Sequence, residues 1–234
     1  MSVSPPEPSR LAPSTSSACR LQAATTAAVS HRGLGFWAIC TLVVFYAIYP
    51  ISNWLAAQRP QRYDFLTPWD ALIPLVPEFI WVYFSFFGFI LLPIWWVEPR
   101  MIDALGQRQV VATVLCGVVF ALFPANLAFT RVVPDWEPYR TIFGWMFAID
   151  HPHNLLPSLH IVYTVASGVA MVSTQWRRGR RWLSAVLVLW TMAICASTML
   201  VHQHHVLDVV AAMLLVGVLS WWIRPAPNAS TDAL

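Results

Sequence analysis

Long apolar runs separated by short polar connections set the pattern of this chain. Six runs are long enough to matter: about Leu34 to Leu55, Glu78 to Val97, Gln109 to Phe129, Ser158 to Gln175, Trp182 to Val201 and His205 to Ile223. A helix needs about 20 apolar residues to cross a hydrocarbon core. The runs are continuously apolar rather than alternating, which excludes a membrane β-barrel. The pattern predicts an all-α integral membrane protein, a six-helix bundle over residues 34–224. Trp37, Trp54, Trp95, Trp96, Trp176, Trp182, Trp221 and Trp222 stand near run ends, as interfacial anchors do. Residues 1–33 are rich in Ser, Pro and Ala without periodicity and read as a disordered N-terminal tail. Their polar part is too long for a signal peptide, and the run behind them exceeds the roughly 7–15 residues of a signal core. Residues 225–234 read as a short disordered C-terminal tail.

Composition agrees with the pattern. Hydrophobic residues make up 58% of the 234 and charged residues only 11%, where a soluble domain has about a quarter charged. The net charge of +3 is all arginine, since the chain has no Lys, and it is too small and scattered for nucleic acid. Cys40, Cys116 and Cys195 lie inside apolar runs and Cys19 in the tail, with no disulfide or metal spacing. Arginine sets the orientation. Arg10, Arg20, Arg32, Arg100, Arg108, Arg177, Arg178, Arg180, Arg181 and Arg224 fall on one side of the runs. Arg59, Arg62, Arg131 and Arg140 fall on the other. Excess Arg marks the cytoplasmic side, so both termini are expected there and the connections 56–77, 130–157 and 202–204 outside.

Histidine sorts the opposite way. Apart from His31, every His (151, 153, 160, 202, 204 and 205) falls on the outward side. Structural His would not sort so. His204 and Asp208 are spaced i, i+4 on a helical reading. A carboxylate so placed accepts the imidazole N–H and leaves the other ring nitrogen free and more basic; the same pair also serves as a plain helix-end hydrogen bond. In Pro157-Ser158-Leu159-His160, Pro157 suits a helix first turn, where unpaired N–H groups attract anions. Ser158 adds a hydroxyl and His160 a proton donor; a capped helix start is the simpler alternative. Zinc is the rival use for clustered His, with Asp135, Glu137 and Asp150 nearby, but the spacing matches no established zinc motif.

These residues resemble the type 2 phosphatidic acid phosphatase superfamily, a family with a six-span helical core that also includes vanadium haloperoxidases. Its Pro-Ser-Gly-His motif is similar to Pro157-Ser158-Leu159-His160, with Leu for Gly. Its Ser-Arg, five residues, His, three residues, Asp motif is similar to Ser197-Thr198, five residues, His204, three residues, Asp208, with the Arg lost. Its Lys, six residues, Arg-Pro motif has its nearest counterpart in residues 123–134, where Arg131 takes the Arg place and Pro124 the Lys place, with Asn126 nearby.

The resemblance implies a metal-independent lipid phosphatase without a cofactor, its active site at the non-cytoplasmic face. His204 would be the nucleophile that becomes a phosphohistidine, Asp208 its orienting partner and His160 the acid for the leaving alkoxide. Arg131, Ser158, Asn126 and Arg140 would bind the phosphate, with Arg59 or Arg62 as further outer cations. The substrate would be a lipid phosphate or diphosphate from the outer leaflet, and the location a bacterial inner membrane. Sphingolipid head-group synthases of the same superfamily keep the His pair and Asp, and Gln203-His204-His205-Val206-Leu207-Asp208 resembles theirs; in them an alcohol replaces water as acceptor. A non-catalytic lipid-binding or transport protein is the alternative from another class. Transport calls for ionisable groups near the midplane, whereas Asp208 lies about one turn from a helix start.

Overall fold

The computed structural model describes residues 15–150 and 153–226. The structure is mostly helical. Its helices are α1 (Thr15–Gln58), α2 (Ile80–Phe89), α3 (Pro93–Trp96), α4 (Pro99–Leu122), α5 (Tyr139–Ile149), α6 (Leu159–Arg177), α7 (Arg181–Leu200) and α8 (Val206–Trp222). Two-residue strands β1 (Tyr63–Asp64) and β2 (Ala125–Asn126) pair in parallel. Among the described residues, three stretches are long and apolar enough to cross a membrane: Gly35–Gln58, Pro99–Leu122 and Arg181–Leu200.

The run boundaries shift for identifiable reasons. α1 starts at Thr15, inside the segment read as a tail, where the Ala-rich sequence favours helix. Residues 1–14, 151–152 and 227–234 lie outside the described residues, and with them Arg10, His151 and most of the expected C-terminal tail. The second run is two helices, because α2 stops at Phe89 and Pro93 opens α3; proline lacks the N–H that a helix interior needs. The third run begins ten residues early, at Pro99, and ends at Leu122, just before Pro124. Hydropathy alone missed that start because Arg100, Asp103, Gln107 and Arg108 interrupt its apolar face. Residues 123–129 are therefore loop and strand, not helix. The 130–157 connection contains α5, which buries Phe143 and Met146 and exposes Trp145 and Ile149.

α1 and α4 pack side by side, running the same way. A Cβ at Gly106 would collide with the Trp37 indole and one at Gly117 with Ile48. The missing side chains are what let the two backbones approach. α6 packs on α4, α7 and α8, and α2 on α7 and α6. Arg108 is buried and donates to the carbonyls of Ile223 and Ser220, capping the C-terminal end of α8 with a cation. At the same end Glu98 bonds Arg100 at 2.8 Å and Arg177 at 3.1 Å, tying α4 to α6. Burial acts to raise the Glu98 carboxyl, but the two guanidinium groups hold it below the usual carboxylate range.

Two helix ends have the same C-terminal geometry with different residues. After α6, Gly179 takes φ +73, Arg180 N–H donates to Gln175 O and Gly179 N–H to Trp176 O. After α7, His202 takes φ 55, Gln203 N–H donates to Thr198 O and His202 N–H to Met199 O. Both are Schellman motifs, which need a left-handed residue. Glycine fills that place freely. His202 is held there by a 3.1 Å bond from Nε2–H to Ile73 O and by stacking on Phe129 at 4.2 Å.

Candidate active site

The α7–α8 turn presents His204 just ahead of α8, two residues before its first helical residue. His204 and Asp208 therefore do not share a helix face. Asp208 instead reaches back over the N-terminus of α8. Its Oδ2 accepts the His205 backbone N–H at 2.8 Å and meets His204 Nδ1 at 3.3 Å. Asp208 is fully buried and His204 is 6% exposed. With Asp208 ionised and so only an acceptor, Nδ1 carries the proton and Nε2 keeps its lone pair. Asp208 Oδ1 is buried without a partner among the described residues.

Asp70, which sequence reasoning missed, holds this turn from outside. Its Oδ1 accepts the Val206 N–H at 2.8 Å, and its Oδ2 accepts the N–H and hydroxyl of Thr67 at 2.7 and 2.6 Å. It is fully buried, and a carboxylate at a helix N-terminus meets the positive end of the dipole. The only hint in sequence was the spacing Thr67 to Asp70, which recurs in many capped turns. His205 Nε2 accepts the Ala128 N–H at 3.2 Å, and Phe129 stacks on His205 at 5.1 Å. His202 and His205 thus anchor neighbouring loops.

The second element is the start of α6. Ser158, not Pro157, is the N-cap; its hydroxyl accepts the Ile161 N–H at 3.4 Å. Pro157 stands before the helix rather than in its first turn. Ser158 N–H donates to Asp208 O at 3.4 Å, so the two helix starts are joined directly. The N–H groups of Leu159 and His160 have no carbonyl to receive them inside α6. The His160 imidazole packs between Tyr83 at 4.8 Å and Phe86 at 4.3 Å, and its Nε2 is buried without a partner among the described residues. His160 and His204 are near enough for charge on one to be felt at the other.

Arg131 stands in the loop ahead of α5, near enough to Tyr83 and Asp150 for charge to be felt between them. Its Nη1 donates to Phe147 O at 3.2 Å, its guanidinium lies 4.9 Å above the Phe147 ring, and its buried Nε is unpartnered among the described residues. Burial lowers the guanidinium pKa while nearby Asp150 raises it. Asp150 accepts the Tyr49 hydroxyl at 2.9 Å, and Asn154 donates to Tyr49 O at 2.8 Å. Asn126 is half-buried in β2, and Arg140 is exposed in the first turn of α5. Neither side chain bonds another described residue. A cavity of about 340 Å³ lies between the 66–75 connection and residues 128–132 with His202 in its wall, and none of His160, Arg131, His204 or Asp208 lines it. Among the described residues, no three His, Cys, Asp or Glu stand together as a metal site.

Two helix starts, a carboxylate-paired imidazole and a second imidazole thus stand near one another, an arrangement whose chemistry suits an anion. The PAP2 superfamily matches residues 134–232. That PAP2 segment runs through α5, α6, α7 and α8 and carries Ser158, His160, His204, Asp208 and Arg140. Arg131, Asn126, Asp70 and Tyr83 come from the part of the chain before it. The PAP2 match supports phosphatase or phosphotransferase chemistry in general and suggests a lipid phosphate substrate. Neither a curated protein nor a solved structure matches the chain.

Proposed function

We propose that the chain is a membrane-embedded lipid phosphate phosphatase working through a phosphohistidine, with water as acceptor and no metal. The observation that carries this reading is the junction of α6 and α8 at Ser158 and Asp208, with His204 oriented by the carboxylate beside it. His204 Nε2 attacks phosphorus and the P–O bond to the lipid breaks. His160 gives its proton to the leaving alkoxide. Water then attacks the phosphohistidine, His160 takes the water proton, and phosphate leaves. The N–H groups of Leu159 and His160, the Ser158 hydroxyl and Arg131 hold the phosphoryl oxygens. Such preorganised donors supply most of the acceleration in phosphoryl transfer. Asn126 and Arg140 are the outlying donors of the same site.

The proposal includes a six-span arrangement: α1, α2 with α3, α4, α6, α7 and α8. The Arg-rich ends and both termini face the cytoplasm of a bacterial inner membrane, and the His-rich end faces outward, where a lipid phosphate or diphosphate head lies in the outer leaflet. Product analysis tests it. Purified protein in detergent is incubated with phosphatidic acid and with a prenyl diphosphate, beside His204→Ala. Free phosphate that vanishes in the variant supports the phosphatase. A membrane lipid extract with inositol added runs in parallel; a new phosphodiester without free phosphate makes the protein a head-group transferase instead.

A further inference from the structure

We infer that Tyr83, with Phe86, is a positioning residue for His160, setting the imidazole plane so that its proton meets the leaving oxygen. The inference rests on the phosphatase reading. His204 has a carboxylate to orient it, but among the described residues His160 has no such partner. Its buried Nε2 makes no hydrogen bond among the described residues, so on that side of the ring its direction is set by packing.

That packing is specific. Tyr83 and Phe86 are spaced i, i+3 and project from one face of α2 toward the first turn of α6. The Tyr83 ring lies 24° from parallel to the imidazole at 4.8 Å, and the Phe86 ring is tilted 41° at 4.3 Å. The two aromatics are themselves fixed by different groups of neighbours. Tyr83, 3% exposed, belongs to the apolar cluster with Ile80, Phe143, Met146 and Val201. Phe86 belongs to the main core with Leu159, Ile161 and Tyr163. The imidazole therefore lies against two rings that are each packed into a different cluster, and turning it would disturb that packing. A general acid acts only within hydrogen-bond reach of the oxygen it protonates, and a misplacement of about 1 Å can cost about a hundredfold. Tyr83 lies before the PAP2 segment, so α2 supplies this constraint to a proton donor carried on α6.

Leaving-group dependence separates positioning from general support of the fold. An alkoxide needs the proton, whereas 4-nitrophenolate leaves without it. The protein is assayed in detergent with phosphatidic acid and with 4-nitrophenyl phosphate, as wild type, His160→Ala, Tyr83→Leu and Tyr83→Phe. Tyr83→Leu is expected to lower kcat on phosphatidic acid by about tenfold to a hundredfold and on the aryl phosphate by less than about threefold, the same direction of selectivity as His160→Ala. Tyr83→Phe keeps the ring and restores most of the rate. Equal losses on both substrates in Tyr83→Leu, or a Tyr83→Phe variant as slow as Tyr83→Leu, overturn the inference while wild type and His160→Ala leave the phosphatase reading standing. A wild type inactive on both substrates removes that reading and this inference together.

Discussion

The backbone N–H of Ser158 donates to the carbonyl of Asp208 at 3.4 Å. These residues are 50 apart in sequence, one capping α6 and the other in the first turn of α8. Their contact brings two helix N-termini to one place. At α8 the first N–H groups are already taken by Asp208 and Asp70, whereas at α6 the N–H groups of Leu159 and His160 have no carbonyl to receive them, so the α6 side of the junction is the one that favours an anion.

If His204 is the nucleophile, His204→Ala abolishes phosphate release. Asp208→Asn keeps an acceptor for the His205 N–H but can present its amide N–H₂ to His204 and favour the wrong tautomer. In a serine-protease triad that change costs roughly 10⁴ in kcat, and a loss of similar order is expected here. A phosphate-release assay on both variants checks this; an Asp208→Asn variant within tenfold of wild type would show that the pair only caps the helix.

Vanadate adopts the five-coordinate geometry of the phosphoryl transition state and should inhibit competitively. EDTA should leave the rate unchanged. Full activity in excess vanadate counts against the phosphohistidine route, and activity lost to EDTA and regained with zinc revives a metal role for the His cluster.

Asp70→Ala leaves the Val206 and Thr67 N–H groups without their acceptor at a buried helix start. Loss of such a cap costs about 1–2 kcal/mol. The melting temperature in detergent should fall, and Asp70→Asn, which keeps one carbonyl acceptor, should fall less. An unchanged melting point for Asp70→Ala would remove its anchoring role.

Gly117→Leu places a side chain where the Ile48 side chain already stands. Overpacking of this kind costs about 1–3 kcal/mol and should separate α1 from α4. Gly144, with open space around its Cβ position, serves as the comparison: Gly144→Ala should melt with wild type.

Glu98 makes the α4–α6 clamp pH-dependent. Its folded pKa is lowered, so the contribution is fully present above the ordinary glutamate value, about 4.3, and fades as pH falls through the lower folded value. Acid melts of wild type and Glu98→Gln should converge at low pH and diverge above it. Parallel curves across the range would assign the clamp no electrostatic role.

The hydrophobic pattern by itself determined a helical membrane-type chain, because continuous apolar runs near 20 residues have few other uses. It also picked out His160, His204 and Asp208, because ionisable groups beside such runs are costly and stand out. Helix ends were less legible. Hydropathy does not register that Pro93 splits a run, or that α4 begins among Arg100, Asp103 and Arg108. Tertiary structure alone decided what surrounds the candidate residues. Asp70, Tyr83 and Phe86 sit in stretches that look like any loop or any apolar helix. Their roles come from partners 136, 77 and 74 positions away, and a residue's own neighbours in sequence carry no information about such contacts. Nor does spacing tell that His204 stands outside α8: i, i+4 fits a helix face and a carboxylate reaching back over its cap equally well, and the left-handed turn at His202 selects the second.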